Sequence, residues 1–323
     1  MKKAKHQPSS YEATFHTMTL EPDIPPESVN AWIQDVRDRQ KEEELPYLAN
    51  FMRNSADGKP RIKVNPFKRH TDSDGKFIFE YWPLSRFLDE MREIAVDLKA
   101  QGFIYRRADL AIDTKAPYSQ TAKFARLFTL SLSDSCGMDN RFLSVDPLSH
   151  ELKTIRADNG GNKFTMQCEH YNRTNIDQSA WSRTVCNRFE LRSSGRQAGK
   201  DHDPRTIAEN WLKHLEALPD KLPGIICQQS ETLLDSWANF YESLGKETTN
   251  AVNAFMVKME RNLYTHEQVR DFLGAVSKSG TDNEKRYRNF MNRWGGVMEL
   301  YSLEDYRAEL DAMTEALRRF LEN

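Results

Sequence analysis

The sequence predicts an α+β protein, in which an antiparallel sheet with flanking helices carries the functional site and a mainly helical C-terminal domain follows. Stretches of alternating polar and apolar residues occupy the first two thirds of the chain, with amphipathic helical stretches between them, and helical spacing alone continues from residue 203. Glycine and charged residues at 195–204 mark the boundary. We therefore divide the chain into a disordered N-terminus (1–10), an α+β domain (11–200) and a helical domain (201–323).

The first hundred residues predict two strands and two helices. Alternation at 11–19 indicates a strand, and apolar residues at helical spacing indicate a helix that begins near Ser28. Turn residues at 57–75 indicate loops or a hairpin, and the aromatic stretch 77–82 indicates a second strand. An amphipathic helix follows over residues 84–101.

The middle of the chain predicts three further strands and one helix. The strands are 103–113, 163–172 and 185–192, and the helix is 119–132. Residues 101–200 carry 15 Lys and Arg against 10 Asp and Glu, whereas the whole chain has a formal net charge of -2. Chance fluctuation is one explanation, and a surface that faces phosphates in this part of the chain is the other.

Composition excludes several classes of protein. Hydrophobic residues make up 38% and charged residues 29%, the mean hydropathy is -0.75, and no apolar run approaches the roughly 20 residues that span a bilayer. The basic start lacks the apolar segment of a secretory signal, so we expect a cytoplasmic protein without a membrane partner. The four cysteines lie far apart without a Cys-x-x-Cys pair, which argues against structural zinc and against a disulfide framework.

Two carboxylates are predicted on one face of the strand 103–113. Because side chains alternate across a strand, Asp109 and Asp113 share a face with Arg107. Carboxylate oxygens suit a hard cation such as Mg²⁺ or Mn²⁺. The alternative is an exposed edge whose carboxylates pair with surface arginines.

The other two central strands extend this polar face. Glu169 and Tyr171 share a face of one strand, and Arg188, Glu190 and Arg192 share a face of the other. Burying such a surface is costly unless it binds a charged ligand. A phenolate can attack a phosphodiester while a metal neutralises charge on the phosphoryl oxygens and arginines hold the phosphates. The residues therefore predict a metal-dependent DNA strand transferase.

Three short motifs stand in order in this region: RRADLAID (106–113), EHYNR (169–173) and NRFELR (187–192). Their order and spacing together resemble the replication initiation factor family, over about residues 105–192. Members of that family start rolling-circle replication of plasmids, integrative conjugative elements and some phages, and some act as relaxases. The paired-histidine metal motif of the better-known relaxases is absent from the sequence.

The resemblance implies a role for each matched position. Tyr171 is expected to be the nucleophile, and Tyr105, which alternation places beside Asp109, is the alternative. His170 should point away from Tyr171 into the core. The expected metal ligands are Asp109, Asp113 and Glu190, and the expected DNA contacts in this domain are Arg107, Arg173, Arg188 and Arg192. Arg173 replaces the family's usual lysine and keeps its charge.

The C-terminal region contains a candidate for DNA recognition at 265–294. Thr265 and Gln268 resemble a capping box that opens the first of two helices. A DNA-reading helix-turn-helix and an ordinary helical hairpin both fit, and the acidic balance of the region counts against the former. A packing or dimerisation helix is predicted over 300–320. The candidate DNA contacts on the second helix are Lys285, Arg286 and Arg288.

Three interpretations of function stay open. The first is a replication initiator from a mobile genetic element that nicks one origin strand, needs Mg²⁺ or Mn²⁺, and leaves a 5′-phosphotyrosine link and a free 3′-OH; a conjugative relaxase would use the same chemistry. The second is an origin-binding initiator or regulator that does not cut, and the third is an interaction protein with a solvated charged sheet. The expected partners are double- and single-stranded origin DNA and a host helicase, with the chain acting as a homodimer.

Overall fold

A computed structural model shows an eight-stranded antiparallel sheet whose helices pack against one of its faces, which confirms the predicted α+β class. The structure describes residues 8–53, 59–75, 77, 79–117, 121, 124–125, 127–129, 131–132, 140–145, 152–158, 164–172, 187–195, 203–220, 264–265, 268–270, 273, 288 and 300–323.

The sheet places the three motif-bearing strands side by side. Its strands, in chain order, are β1 (Tyr11–Pro22), β2 (Leu48–Arg53), β3 (Pro60–Val64), β4 (Phe103–Thr114), β5 (Asn140–Val145), β6 (Leu152–Asp158), β7 (Phe164–Asn172) and β8 (Asn187–Gly195). Their spatial order is β2-β3-β1-β4-β8-β7-β6-β5. A separate parallel pair joins β9 (Tyr264–Thr265) to β10 (Leu300–Tyr301).

Four helices are described over continuous ranges: α1 (Val29–Lys41), α2 (Leu84–Asp97), α3 (204–220) and α4 (Leu303–Glu322). The described residues between 121 and 132 are helical as well. The start of α4 shows why a helix forms there: the Ser302 hydroxyl accepts a 3.2 Å hydrogen bond from the backbone N–H of Asp305, and acidic residues fill the first turn. No helix in the described ranges is long and apolar enough to cross a membrane.

Most predicted elements are confirmed, but the strand predicted at 77–82 is wrong. Phe77 makes a single bridge to Thr71, and residues 79–83 have no regular structure. The aromatic residues of this segment pack individually, since the rings of Phe79 and Trp82 both contact Phe67. Aromatic content therefore reflects packing against the sheet here, not strand pairing.

Four strands of the eight-stranded sheet are absent from the prediction, β2, β3, β5 and β6, as are the two short strands β9 and β10. β3 lies within the stretch predicted as loops or a hairpin and pairs with β2 as a hairpin. It has only five residues, begins with Pro60 and carries Arg61 and Lys63, so its alternation is too short to stand out. β5 and β6 form a second antiparallel pair at the other end of the sheet.

The described helices of the C-terminal region share a hydrophobic core with the sheet. The ring of Phe320 in α4 lies 5.5 Å from that of Phe15 in β1, and Trp211 in α3 donates a 3.0 Å hydrogen bond to the Ser193 hydroxyl in β8. The division at residue 201 stays a prediction. Ser9 lies in the segment predicted to be disordered, yet it is buried and donates hydrogen bonds to the Glu309 carboxylate of α4.

Candidate active site

Strands β4, β8, β7 and β6 build one polar face. Directly opposite residues of an antiparallel ladder point to the same side, and the register pairs Asp113 with Arg188, Arg188 with Tyr171, and Glu190 with Glu169. The shared face predicted for three strands is therefore confirmed, and β6 extends it. We call it the carboxylate–arginine face; its members are Arg107, Asp109, Asp113, Arg156, Gln167, Glu169, Tyr171, Arg188, Glu190 and Arg192.

The opposite side of the same strands faces the helices. Phe189, Leu191 and Cys168 are buried there. His170 is fully buried with them, its ring 4.4 Å from Phe189 and its Nε2 3.2 Å from the Thr121 hydroxyl. Burial lowers the pKa of His170 to about 3, so the imidazole is neutral. The predicted core position of His170 is confirmed.

Asp113 and Arg188 form a buried bidentate ion pair. Arg188 Nε lies 2.7 Å from Oδ1 of Asp113, and Nη2 lies 2.6 Å from Oδ2. Tyr81 donates a further hydrogen bond of 3.2 Å to Oδ2, and the Phe79 ring lies 5.7 Å from the guanidinium carbon. Burial opposes the charge of Arg188, but Asp113 outweighs it and raises the pKa of Arg188. Arg188 thus holds the face together, and its burial disfavours direct phosphate contact.

The charge of Asp109 is only partly compensated by its neighbours. It is buried, and it accepts hydrogen bonds of 2.7 and 2.8 Å from Arg107, whose side chain is 36% exposed. Burial raises the pKa of Asp109 to about 6; Arg107 opposes this rise and the charge of Glu190 adds to it. A bound cation would therefore find an incompletely compensated carboxylate here.

Tyr171 contacts the Glu190 carboxylate directly. Its hydroxyl donates a 3.0 Å hydrogen bond to Oε2 of Glu190, and Arg192 Nη2 lies 2.9 Å from the same oxygen. Burial opposes ionisation of Glu190, but Arg192 outweighs it and lowers the pKa of Glu190 to about 2. Tyr171 is only partly buried. A phenol held by an ionised carboxylate thus reaches the surface of a face lined with arginines.

The alternative nucleophile, Tyr105, lies on the other face. Thr19 pairs with Arg107, but the next residue, Leu20, pairs with Tyr105, so Arg106 is an extra residue in β4. One extra residue reverses the side on which the following side chains point. Tyr105 consequently packs against the hydrophobic core, and its predicted place beside Asp109 is wrong.

Sequence reasoning missed two residues of the site. Tyr81 reaches Asp113 from the segment 79–83, which crosses the polar face and whose Trp82 carbonyl accepts a 3.4 Å hydrogen bond from Thr14. His16 is the extra residue of a second bulge, and its charge contributes to the lowered pKa of Glu190. Neither a bulge nor a crossing segment has a periodic sequence signal.

A metal site of three carboxylates does not match the arrangement. Within the described ranges, no three His, Cys, Asp or Glu side chains are grouped so that they could hold a metal ion. Both oxygens of Asp113 are bound to Arg188. Both oxygens of Asp109 are bound as well, but to Arg107, which is 36% exposed, whereas Arg188 is fully buried. Asp109 and Glu190 are therefore the better candidates, and Mg²⁺ commonly binds one or two carboxylates and keeps several waters.

Of the remaining six predicted DNA contacts, the structure describes three. Arg107 and Arg192 are partly exposed on the carboxylate–arginine face, and Arg288 is exposed. Arg173, Lys285 and Arg286 lie outside the described residues, as does most of the two-helix unit predicted at 265–294.

No protein-family model and no curated protein matches the chain. Among solved structures, the chain is similar to a rolling-circle replication initiator protein from Geobacillus stearothermophilus at 12% sequence identity and a TM-score of 0.31. The match covers 90% of this chain and 97% of the other. A similarity at this level does not identify a shared function.

Proposed function

We propose that this protein is a replication initiator that nicks one DNA strand at a rolling-circle origin, with Tyr171 as the nucleophile. The hydrogen bond from Tyr171 to Glu190, on a face lined by arginines, is the observation that supports it. Attack forms a bond between the phenol oxygen and phosphorus, with loss of the phenol proton to water, and breaks the bond from phosphorus to the 3′ oxygen, which takes up a proton from water. The products are a 5′-phosphotyrosine link and a free 3′-OH.

The neighbouring residues have distinct roles in this proposal. Glu190 accepts the hydrogen bond of the phenol and so orients its oxygen for the attack. Arg192 and Arg107 contact the phosphates, because their side chains are partly exposed and lie beside Glu190 and Asp109. Asp113 and Arg188 position β4 and β8 relative to each other.

A divalent cation, Mg²⁺ or Mn²⁺, belongs to the proposal. Asp109 and Glu190 would hold it, and when bound it would neutralise charge that builds on the phosphoryl oxygens. The proposed substrates are double- and single-stranded origin DNA, and the proposed partners are a host helicase and a second copy of the chain. Conjugative nicking would use the same bond chemistry.

One observation favours a second function, an origin-binding initiator that does not cut DNA. Among the described side chains of the carboxylate–arginine face, four carboxylates stand against four arginines, and ion pairs join Asp109, Asp113, Glu169 and Glu190 to arginines. Such a network can hold a sheet together without chemistry. The two functions differ in whether a covalent bond to DNA forms.

The deciding experiment looks for that bond. The purified protein is incubated with Mg²⁺ or Mn²⁺ and with supercoiled and single-stranded DNA that spans its own gene and flanks, and a denaturing gel separates protein–DNA adducts. We expect an adduct in the wild type that chelation abolishes and that Tyr171→Phe reduces by a factor on the order of 100 or more. Tyr105→Phe, on the opposite face, is the matched control and should keep the adduct.

Other outcomes assign other functions. An adduct that survives in Tyr171→Phe but disappears in Tyr81→Phe would move the nucleophile to Tyr81. Retarded duplex DNA without any adduct would establish the initiator that does not cut.

A further inference from the structure

A cluster of cations surrounds one buried carboxylate beside the carboxylate–arginine face. Lys59 Nζ lies 2.8 Å from Oε1 of Glu21, Arg106 Nη2 lies 2.8 Å from Oε2, and Arg61 Nε lies 4.0 Å from the same oxygen. Lys63 follows Arg61 two residues later in β3 and therefore points to the same side. We call Lys59, Arg61, Lys63 and Arg106 the basic corner.

The basic corner and the active-site face form one continuous surface. Thr19 in β1 pairs with Lys63 on one side and with Arg107 on the other, so these three side chains point to the same face. Arg107 in turn binds Asp109 of the carboxylate–arginine face. A ligand that lies across the sheet can therefore contact both regions without passing around an edge.

The two regions differ in charge. The carboxylate–arginine face pairs each of its described carboxylates with an arginine, whereas in the basic corner Lys59, Arg61 and Arg106 share the Glu21 carboxylate and a fourth cation, Lys63, lies beside them. Within the part of the chain that the structure describes, no carboxylate forms an ion pair with Lys63, which is partly exposed. Excess positive charge on an accessible sheet surface attracts a polyanion.

We propose that the basic corner binds the phosphate backbone of the same single DNA strand that Tyr171 attacks, several nucleotides away from the scissile phosphate. This inference rests on the proposed function. With strands about 4.8 Å apart and residues about 3.4 Å apart, four strand steps and six residues separate Lys63 from Tyr171, or roughly 28 Å. Only a strand that extends well beyond the nick reaches both points.

The corner uses charge and not base recognition. Lys59, Arg61 and Lys63 are flexible donors, and Thr19 adds a neutral hydroxyl between Lys63 and Arg107. Contacts of this kind position a strand without reading its sequence, so affinity should fall with salt for any base composition.

The test compares Lys63→Glu with Lys41→Glu. Lys41 is exposed at the end of α1, where it pairs with Asp38, so both variants change the net charge equally. Fluorescence anisotropy measures the binding of labelled dT30 and dT6 over a range of NaCl concentrations. We expect Lys63→Glu to weaken dT30 binding about tenfold and to lower the slope of log K against log [NaCl] by about 1, while dT6 binding and the Lys41→Glu variant stay near wild type.

Two results would overturn the basic corner as a strand contact. One is an equal loss of dT30 binding in both variants, which would reflect net charge alone, and the other is wild-type binding by Lys63→Glu. The adduct experiment separates this inference from the proposed function. If the wild type forms no adduct but Lys63→Glu weakens dT30 binding, the basic corner is a strand contact and the nicking activity is disproved. If the wild type forms the adduct and Lys63→Glu binds dT30 like the wild type, the nicking activity holds and the basic corner is not a strand contact.

Discussion

The two faces of the central sheet bury titratable side chains in opposite ways. On the helix-covered face His170 has an aromatic ring and a hydroxyl beside it and stays neutral, because burial lowers its pKa to about 3. On the other face Arg188 is equally buried but keeps its charge: Asp113 lies opposite it in the ladder, accepts hydrogen bonds from its Nε and Nη2, and raises the pKa of Arg188. Burial alone therefore does not decide ionisation; an aligned counter-charge does.

This difference arises within single strands. In β8, Arg188 and Glu190 alternate with Phe189 and Leu191, so one strand supplies charge to one face and apolar packing to the other. Chemistry that needs ionised groups is accordingly confined to one face of the sheet. The helices stabilise the sheet by packing on its opposite, apolar face.

The largest expected effect comes from breaking the buried pair. Arg188→Met leaves the charge of Asp113 buried without its partner, so we expect a loss of about 3–5 kcal/mol in the free energy of unfolding, measured by urea denaturation. Arg107→Met is the matched control on the same face. Its ion pair with Asp109 is partly exposed, and its loss should cost about 1 kcal/mol.

A double variant sharpens this prediction. Arg188→Met combined with Asp113→Leu removes both charges and should recover most of the lost stability, because an apolar pair of similar volume replaces the ion pair. Equal losses of unfolding free energy in Arg188→Met and Arg107→Met would contradict this prediction. They would mean that the Arg188–Asp113 pair is no better shielded from water than the Arg107–Asp109 pair.

The second effect tests the neutral histidine. The pKa of His170 is lowered in the folded state, so the unfolded chain binds a proton first as the pH falls, and the stability that neutral His170 allows is lost below about pH 6.5. From pH 7 to pH 5 we expect the wild type to lose about 2 kcal/mol from this group. His170→Gln should lack that part of the slope in urea denaturation at the two pH values, and an unchanged slope would contradict a neutral buried imidazole.

The smallest effect concerns the segment that crosses the polar face. Tyr81→Phe removes one 3.2 Å hydrogen bond to Asp113, which still binds Arg188, so we expect a loss of about 1 kcal/mol or less. Thermal or urea unfolding measures it, and the yield of covalent adduct should stay at the wild-type level. A strong loss of adduct at unchanged stability would mean that Tyr81 takes part in the reaction.

Local periodicity determined much of the site from the sequence alone. The strands 163–172 and 185–192 have unbroken alternation, so the common face of Glu169 and Tyr171 and that of Arg188 and Glu190 follow from the period of two. The core position of His170 follows from the same rule. Helical spacing likewise determined α2 and α4, whose apolar stripes are regular.

Only the tertiary structure decided the features that depend on contacts between distant segments or on a break in periodicity. The extra residue Arg106 turns Tyr105 to the other face, and no repeat in the sequence marks such a bulge. The partnership of Asp113 with Arg188 joins positions 75 residues apart, and Tyr81 reaches them from a segment without regular structure. Alternation predicts the face of the strand on which a side chain lies. The register between strands and the segment 79–83 that crosses the sheet decide which side chains it contacts.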